Sequence, residues 1–487
     1  MGERVNVSFF QELMNSIAEQ SRALLPKSLF GPAGGDSIVV LARALMSGRG
    51  EASGVAIARQ LLLQLKKAPS DERLQFYRFL ADELQPDAAV VADAARAYLD
   101  TPSDKTLVRL QAAIYSPRME FFRRLNLAPG ATGEIVALRA DLVRHLKSDD
   151  ALAAVDRDLQ RLLTSWFNRG FLVLRRIDWQ TPAAILEKII AYEAVHEIRG
   201  WDDLRRRLDP KDRRCFAFFH PALIDEPLIF VEVALTRDIP DTIAEVLDAH
   251  RDDDDAPPTT AVFYSISNCQ EGLKGISFGN FLLKQVVEDL VRDTPSLKTF
   301  VTLSPVPSFA RWLDGVQADA NSGLSQEERQ ALARLRDPRW VDDIARAAAG
   351  SDEIKPVLLA LAAQYFLAAR SADDRPVDPV ARFHLGNGAR LERLNWLADI
   401  SERGLREAHG LMVNYRYDLS EIERNHEAYA QDGTVAASRG VRAYLKAGGG
   451  TVKSLAGVPE LLALPSASKT KKARSAGPDR SKARDDG

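Results

Sequence analysis

The sequence predicts an α+β protein: an all-helical N-terminal bundle followed by a mixed α/β sheet domain. Three observations lead there. Apolar residues recur at three- and four-residue spacing from about residue 8 to residue 168. β-branched and aromatic runs begin only near Gly170. From that point short strands follow one another, and the last pair brackets a helix, the order expected of a sheet with helices packed on it. A chain of 487 residues, 46% hydrophobic and 27% charged, has the length for two or three ordinary globular domains.

In the first region the helical pattern covers Asp36–Ser47, Gly54–Lys66, Ser70–Leu84, Ala88–Leu99, Asp104–Ile114 and Ala151–Asn168. Pro69-Ser70, Pro86-Asp87, Pro102-Ser103 and Pro129-Gly130 separate the helices, because proline and glycine stop them and serine or aspartate caps the next. Phe171–Ile177 then reads as a strand, followed by a helix over Pro182–His196. Phe216–Phe219 and Leu228–Leu235 read as two strands joined by the polar turn Asp225-Glu226-Pro227. Arg251–Pro258, with four consecutive aspartates, reads as a solvated loop, since it lacks the alternating spacing of a calcium loop. Thr260–Ser267 and Thr299–Leu303 are the last strands in this reading. Between them lies a helix over Ser277–Arg292, with Phe281, Leu282, Val286 and Leu290 on its inner face. Helices return at Gln326–Leu335, Val341–Ala349, Pro356–Ala369 and Arg390–Ile400. The end of the chain is polar and reads as a basic tail, with seven Lys/Arg against three Asp from Lys469 onward. The boundaries expected are 1–168 for the helical domain, 169–464 for the sheet domain and 465–487 for the tail.

A formal net charge of −3 gives no electrostatic case for a nucleic-acid partner. No apolar run reaches the ~18 residues of a membrane helix, so no membrane partner is expected. The N-terminal residues lack the apolar block of a secretory signal, and Cys215 and Cys269 cannot form a disulfide framework. The expectation is a cytoplasmic protein. No paired-cysteine or paired-histidine spacing suggests a metal.

Three places could carry chemistry. The turn Gly272-Leu273-Lys274-Gly275-Ile276-Ser277-Phe278-Gly279-Asn280 follows a strand and opens a helix. Free N–H groups at a helix start attract phosphate, and glycines let a ligand approach the backbone. The turn lacks the GK[ST] ending of a Walker loop and the close glycine pair of a dinucleotide fingerprint. What remains looks like the pyrophosphate turn of acetyltransferase-type folds, although such a turn also serves simply to start a helix. Ser304 stands before Pro305-Val306-Pro307, where the prolines stiffen the backbone and fix the direction of the hydroxyl. A serine there also suits the N-cap of the next helix. His384 lies between an apolar approach and the exit Gly386-Asn387-Gly388, with His220 as a rival among seven histidines. From these residues alone the reading is a CoA-type phosphate binder.

The stretches His220-Pro221, Pro227–Leu235, Phe263–Ser267, Gln270–Gly279, Leu303-Ser304-Pro305, Asn387-Gly388-Ala389, Asn395–Asp399 and Gly410–Tyr417 resemble the malonyl-CoA decarboxylase family. The resemblance covers roughly residues 170 to 430. It implies an acetyltransferase-like (GNAT-type) catalytic domain, a helical domain for self-association into a homo-oligomer (dimer or tetramer), malonyl-CoA as substrate and acetyl-CoA as product. It carries the family's serine and histidine onto Ser304 and His384, and a nearby tyrosine onto Tyr417. The CoA-contacting turn falls on Lys274, Gly275, Ile276, Ser277, Phe278, Gly279 and Asn280, with Ser277 standing where some animal members have an acidic residue. The reaction implied needs no cofactor, because the thioester carbonyl is the electron sink. Ser304 would hold the carboxylate or relay a proton, and His384, titrating near neutrality, would protonate the carbanion. Donors around Ser265 would serve the oxyanion. An acyl-CoA-dependent acyltransferase and a non-catalytic acyl-CoA-binding protein are the alternatives.

Overall fold

The computed structural model describes residues 35–47, 51–247, 256–276, 282–337, 339–346 and 353–447. The acidic run 251–255, the tail, the first 34 residues and the expected site residues Ser277, Phe278, Gly279 and Asn280 lie outside the described residues.

The N-terminal region consists of α1 (Gly35–Met46), α2 (Glu51–Lys67), α3 (Ser70–Glu83), α4 (Ala88–Asp100), α5 (Asp104–Ile114), α6 (Pro117–Leu125), α7 (Ala131–His145) and α8 (Ala153–Trp166). Polar residues start several of them. Asp87 accepts the N–H groups of Ala89 and Val90, Ser103 and Thr106 form a capping box, and Pro117 occupies the first position of α6. Leu41, Leu61, Phe76, Phe121, Leu142 and Leu163 are buried between α1–α3 and α6–α8. Each such side chain contributes roughly 1.5–3 kcal/mol relative to exposure. Two buried ion pairs, Arg118–Asp158 and Arg139–Asp156, both at 2.8 Å, cross this core. The hairpin of α4 and α5 is different, for α5 buries none of its residues and α4 only Ala94.

The rest of the chain builds a mixed sheet. In order come β1 (Val173–Ile177), α9 (Ala183–Tyr192), α10 (Trp201–Leu208), β2 (Arg213–His220), β3 (Leu223–Thr236), α11 (Ile243–Leu247), β4 (Thr260–Asn268), α12 (Leu282–Asp293), β5 (Thr299–Thr302) and β6 (Ser304–Pro305). They are followed by α13 (Phe309–Ala318), α14 (Gln326–Ala333), α15 (Trp340–Arg346), α16 (Ile354–Leu367), α17 (Pro379–Gly386), β7 (Arg390–Asn395), α18 (Glu402–Ala408), β8 (Met412–Tyr417), α19 (Ile422–Asp432) and α20 (Arg439–Ala447). The eight strands run in the order β1-β2-β3-β4-β5-β8-β6, with β7 on β8. All pairs are antiparallel except β4–β5, whose connection crosses over through α12. The fold is α+β, and its parallel pair separates beyond Phe263 and Leu303.

Side-chain alternation divides the sheet into two faces. Phe216, Phe218, Val231, Val233, Phe263 and Phe300 join the core shared with the N-terminal helices and α12. Cys215, Ala217, Phe219 and Phe230 face α9 and α10, while Val262, Tyr264, Val301 and Leu303 face α11 on the same side.

Three expectations require correction. Residues 390–395 are strand β7, not helix. A register shift between Leu391 and Arg393 lets Leu391 and Leu394, three apart, both be buried, so a bulged strand imitates helical spacing. Thr299 and its neighbours are not the last strand, since β6, β7 and β8 follow. The β2–β3 turn is Pro221-Ala222, where His220 Nδ1 accepts the Ala222 N–H at 3.1 Å. Asp225–Pro227 instead lies inside β3 at a register irregularity, with Asp225 at φ 53° and Pro227 unable to donate to the ladder.

Candidate active site

The site begins where the parallel strands part. β4 and β5 pair from Thr260/Thr299 to Phe263/Thr302, and the Leu303 N–H gives a last bond to the Phe263 carbonyl at 3.0 Å. Beyond that point β4 stays with β3 as far as Asn268, whereas β6 pairs with Met412 and Val413 of β8. Ser304 therefore stands on one arm of the opening.

The β5–β8 ladder is interrupted here, and side chains replace its bonds. It holds Phe300↔Tyr417 and Val301↔Arg416, and β6 resumes at Ser304↔Val413. In the gap Asn414 Nδ2 donates to the Thr302 carbonyl at 2.8 Å, and the Tyr415 N–H donates to Thr302 Oγ1 at 3.1 Å. Asn414 Oδ1 is held in turn by Asn395 Nδ2 at 2.8 Å and Arg393 Nε at 3.0 Å. Buried polar groups are thus satisfied at a break that would otherwise leave them orphaned.

Opposite this arm stands α17. Asp378 caps it by accepting the Ala381 N–H at 2.8 Å, and Pro379 fixes its first residue. Its last turn carries His384. The chain then turns at Gly388, whose φ of +80° and contact with the Ile422 carbonyl leave no room for a Cβ.

His384 is gripped on three sides. Its ring stacks on Tyr415 with centroids 4.6 Å apart and planes at 22°. Nδ1 meets the Tyr417 hydroxyl at 2.8 Å, and Nε2 meets Ser304 Oγ at 3.2 Å. Ser304 Oγ also donates to Thr302 Oγ1 at 2.8 Å. Hydrogen-bond accounting assigns the tautomer. The Ser304 proton goes to Thr302, so Ser304 Oγ accepts Nε2–H, and the Nδ1 lone pair accepts the Tyr417 proton. All protons point from Tyr417 toward Thr302.

The centre is dry. Ser304 is 5% exposed, His384 3% and Tyr417 4%. Burial holds His384 down at about 3, while it raises the hydroxyls of Tyr415 and Tyr417 above the usual tyrosine range. The expectation of a histidine titrating near neutrality is therefore corrected, since desolvation penalises the imidazolium. The Tyr415 hydroxyl is buried with no hydrogen-bond partner among the described residues.

A groove of about 420 Å³ runs between Lys284, Val287 and Val291 of α12 and Leu419, Ile422 and Glu423 at the start of α19. A narrower cavity shares Leu419 and Ile422 with it and reaches Tyr417.

Of the residues singled out from the sequence, the structure brings Ser304, His384 and Tyr417 together. Ser265 lies elsewhere. Tyr264 is the extra residue of a bulge opposite Glu232, which turns Ser265 toward the α9 side of the sheet. There its hydroxyl donates to the Glu193 carboxylate at 2.8 and 2.9 Å. Gly275 takes φ +79°, Ile276 is buried and Lys274 is exposed, and this turn docks on α7. His220, the rival, is used structurally, with Nε2 at 3.1 Å from the Trp166 carbonyl and Nδ1 in the β-turn. Sequence reasoning missed Thr302, Asn414 and Tyr415. The alternation of Val413, Tyr415 and Tyr417 in a β-type run was the available signal.

The chain matches the family model "Malonyl-CoA decarboxylase C-terminal domain" over residues 170–454 and "Malonyl-CoA decarboxylase N-terminal domain" over residues 84–167. It is 37% identical over 349 residues to the mitochondrial malonyl-CoA decarboxylase of Anser anser anser, covering 66% of this chain and 68% of that protein. Identity to the protein of the same name from Mus musculus is 34% over 357 residues, covering 68% and 71%. The crystal structure of malonyl-CoA decarboxylase from Rhodopseudomonas palustris aligns with a TM-score of 0.80 at 52% identity, over 85% of this chain and all of that one (100%). The one from Agrobacterium vitis gives 0.78 at 57% identity, over 84% and 99%.

Proposed function

The chain belongs to the malonyl-CoA decarboxylase family, and we propose that the hydrogen-bonded series Tyr417–His384–Ser304 carries its chemistry. It decarboxylates malonyl-CoA to acetyl-CoA and CO₂. The electrons of the breaking C–C bond flow onto the thioester carbonyl, leaving CO₂ and an enolate. No cofactor is required, because the thioester is itself the sink.

When substrate binds, the Ser304 hydroxyl turns its proton from Thr302 to the malonyl carboxylate and holds that group out of the carbonyl plane, which aligns the breaking bond with the π system. The enolate carbon then takes a proton from Nε2–H of neutral His384. A thioester enolate is a stronger base than imidazolate, so a neutral imidazole suffices as the acid. As that proton leaves, the Tyr417 proton moves onto Nδ1 and no imidazolate accumulates. Solvent supplies the proton that the reaction consumes: Nε2 takes it from water as the Nδ1 proton returns to Tyr417, which restores both the phenol and the starting tautomer. The observation that carries this reading is the unbroken series of contacts at 2.8, 3.2 and 2.8 Å.

The turn from Lys274 to Asn280 is assigned to the CoA diphosphate, with the pantetheine arm in the groove beside α12. The Ser265 hydroxyl is occupied by Glu193 and its main chain is paired with Glu232 of β3, so oxyanion donors from this region fall to its neighbours on β4. The α4–α5 hairpin supports self-association as a dimer or tetramer, since Val90, Leu99, Val108 and Ile114 are 51%, 77%, 62% and 54% exposed. Cys215 and Cys269, free and buried, fit a reducing cytoplasm. Among the described residues no helix is long and apolar enough to cross a membrane.

Dialysis against chelator followed by product analysis tests the reading. Equal amounts of acetyl-CoA and CO₂ from malonyl-CoA, at an undiminished rate, are expected. Loss of turnover that an added metal or nucleotide restores would overturn the cofactor-free reaction.

A further inference from the structure

We infer that Arg139, a residue of the helical domain, is a positioning residue for the CoA-binding turn. The inference rests on the assignment of that turn to CoA. Arg139 is 2% exposed and sits midway along α7. Its Nε is paired with Asp156 Oδ1 at 2.8 Å, which fixes the plane of the guanidinium. Its Nη1 donates to two carbonyls of the turn, Gly272 at 2.7 Å and Lys274 at 2.9 Å.

The approach of the turn to α7 is close. A Cβ on Gly272 would overlap the main-chain carbonyl of Val136. Gly272 is thus explained by helix packing, and Gly275, at φ +79° with open space around it, by the turn itself. The two N–H groups of Nη1 reach one carbonyl each, two residues apart, while Nε keeps Asp156 in the same plane, whereas a lysine ammonium cannot hold both carbonyls at that geometry and also pair with Asp156. The Leu273 and Lys274 N–H groups bond within the turn, to the Gln270 and Glu271 carbonyls. The clamp therefore acts on the Gly275 N–H, which is trans to the Lys274 carbonyl held by Arg139 and is turned outward toward an anion. The surface pair Arg144–Glu271 at 2.8 Å adds little, being 67% and 74% exposed. The helical domain is by this account part of the substrate site as well as a surface for self-association.

A companion arginine supplies the control. Arg118 is also buried, pairs with Asp158 at 2.8 Å and donates to the carbonyls of Leu80 and Ala81, all within the helical domain. The test is steady-state kinetics of the full chain with malonyl-CoA for Arg139→Lys, Arg118→Lys and Gly275→Val, with thermal unfolding of each. Arg139→Lys is expected to raise KM roughly tenfold with kcat within about twofold, the size of one lost charge-assisted hydrogen bond. Arg118→Lys is expected to lower the melting temperature comparably and leave KM unchanged. A raised KM in Gly275→Val with an unchanged KM in Arg139→Lys would overturn the role of Arg139 while keeping the turn. Unchanged KM in both would overturn the turn assignment and this inference with it. If Arg139→Lys does not fold, Gly272→Ala displaces the turn without touching the ion pair, and an unchanged KM there overturns the inference.

Discussion

The Tyr417 hydroxyl lies 2.8 Å from Nδ1 of His384. Because both groups are buried and neutral, the phenol sets the imidazole tautomer and stands ready to replace the proton that Nε2 gives up. Tyr417→Phe keeps the ring and removes only this hydroxyl. The expected result is a fall in kcat of roughly 10²-fold with KM nearly unchanged, the usual size for losing a positioned proton-transfer partner. Steady-state kinetics decide it, and a kcat within threefold of wild type would remove Tyr417 from the relay.

Burial of His384 makes a prediction about pH. With the imidazole held down at about 3, the free enzyme carries a neutral His384 throughout the neutral range. The kcat/KM profile should therefore stay flat from pH 8 down to pH 5, where a histidine of ordinary value near 6.5 would cause a decline. A bell with an acidic limb near 6.5 that disappears in His384→Gln would contradict this electrostatic account.

The same shift affects stability. A pKa lowered on folding contributes stability that is present above the unfolded value of 6.5 and is lost as pH falls through the folded value of about 3. His196, held down at about 4 by burial, acts in the same direction. Chemical denaturation as a function of pH should show His384→Gln losing less stability than wild type between pH 6.5 and 4. Parallel curves for the two proteins would argue against a desolvated imidazole.

Thr302 tests whether the interruption in the ladder matters. Thr302→Val keeps the shape but removes the acceptor shared by the Ser304 hydroxyl and the Tyr415 N–H. Destabilisation of about 1–3 kcal/mol is expected from the buried donors left unpaired. The freed Ser304 hydroxyl is also expected to turn toward Nε2, lowering kcat roughly tenfold by inverting the tautomer. Thr302→Ser should restore both. Denaturant titration and turnover of the three proteins check it.

Much of this architecture was legible in the sequence, and the failures have physical causes. Helices α1 to α5 were readable because caps and proline–serine punctuation coincide with apolar periodicity. β7 was not, because its bulge puts Leu391 and Leu394 on one side at helical spacing. β8 was not read as a strand either, although Tyr415 and Tyr417 alternate there as strand residues do. Ser304 and His384 could be named, but their meeting depends on pairing between β6 and β8, a contact across more than a hundred residues. Ser265 shows the opposite limit. One inserted residue, Tyr264, decides which face of the sheet its hydroxyl takes, and no local pattern announces a bulge.

The central claim is that Ser304 and His384 act together on malonyl-CoA in a site that needs no other chemistry. Rates of acetyl-CoA and CO₂ formation by wild type, Ser304→Ala, His384→Ala and the double variant, all confirmed as folded, test it most directly. Each single variant is expected to lose roughly 10²–10⁴-fold in kcat, and the double variant little more than the worse single, because the two residues work as one unit. Single variants that retain near-normal turnover, or losses that multiply in the double variant, would contradict the account.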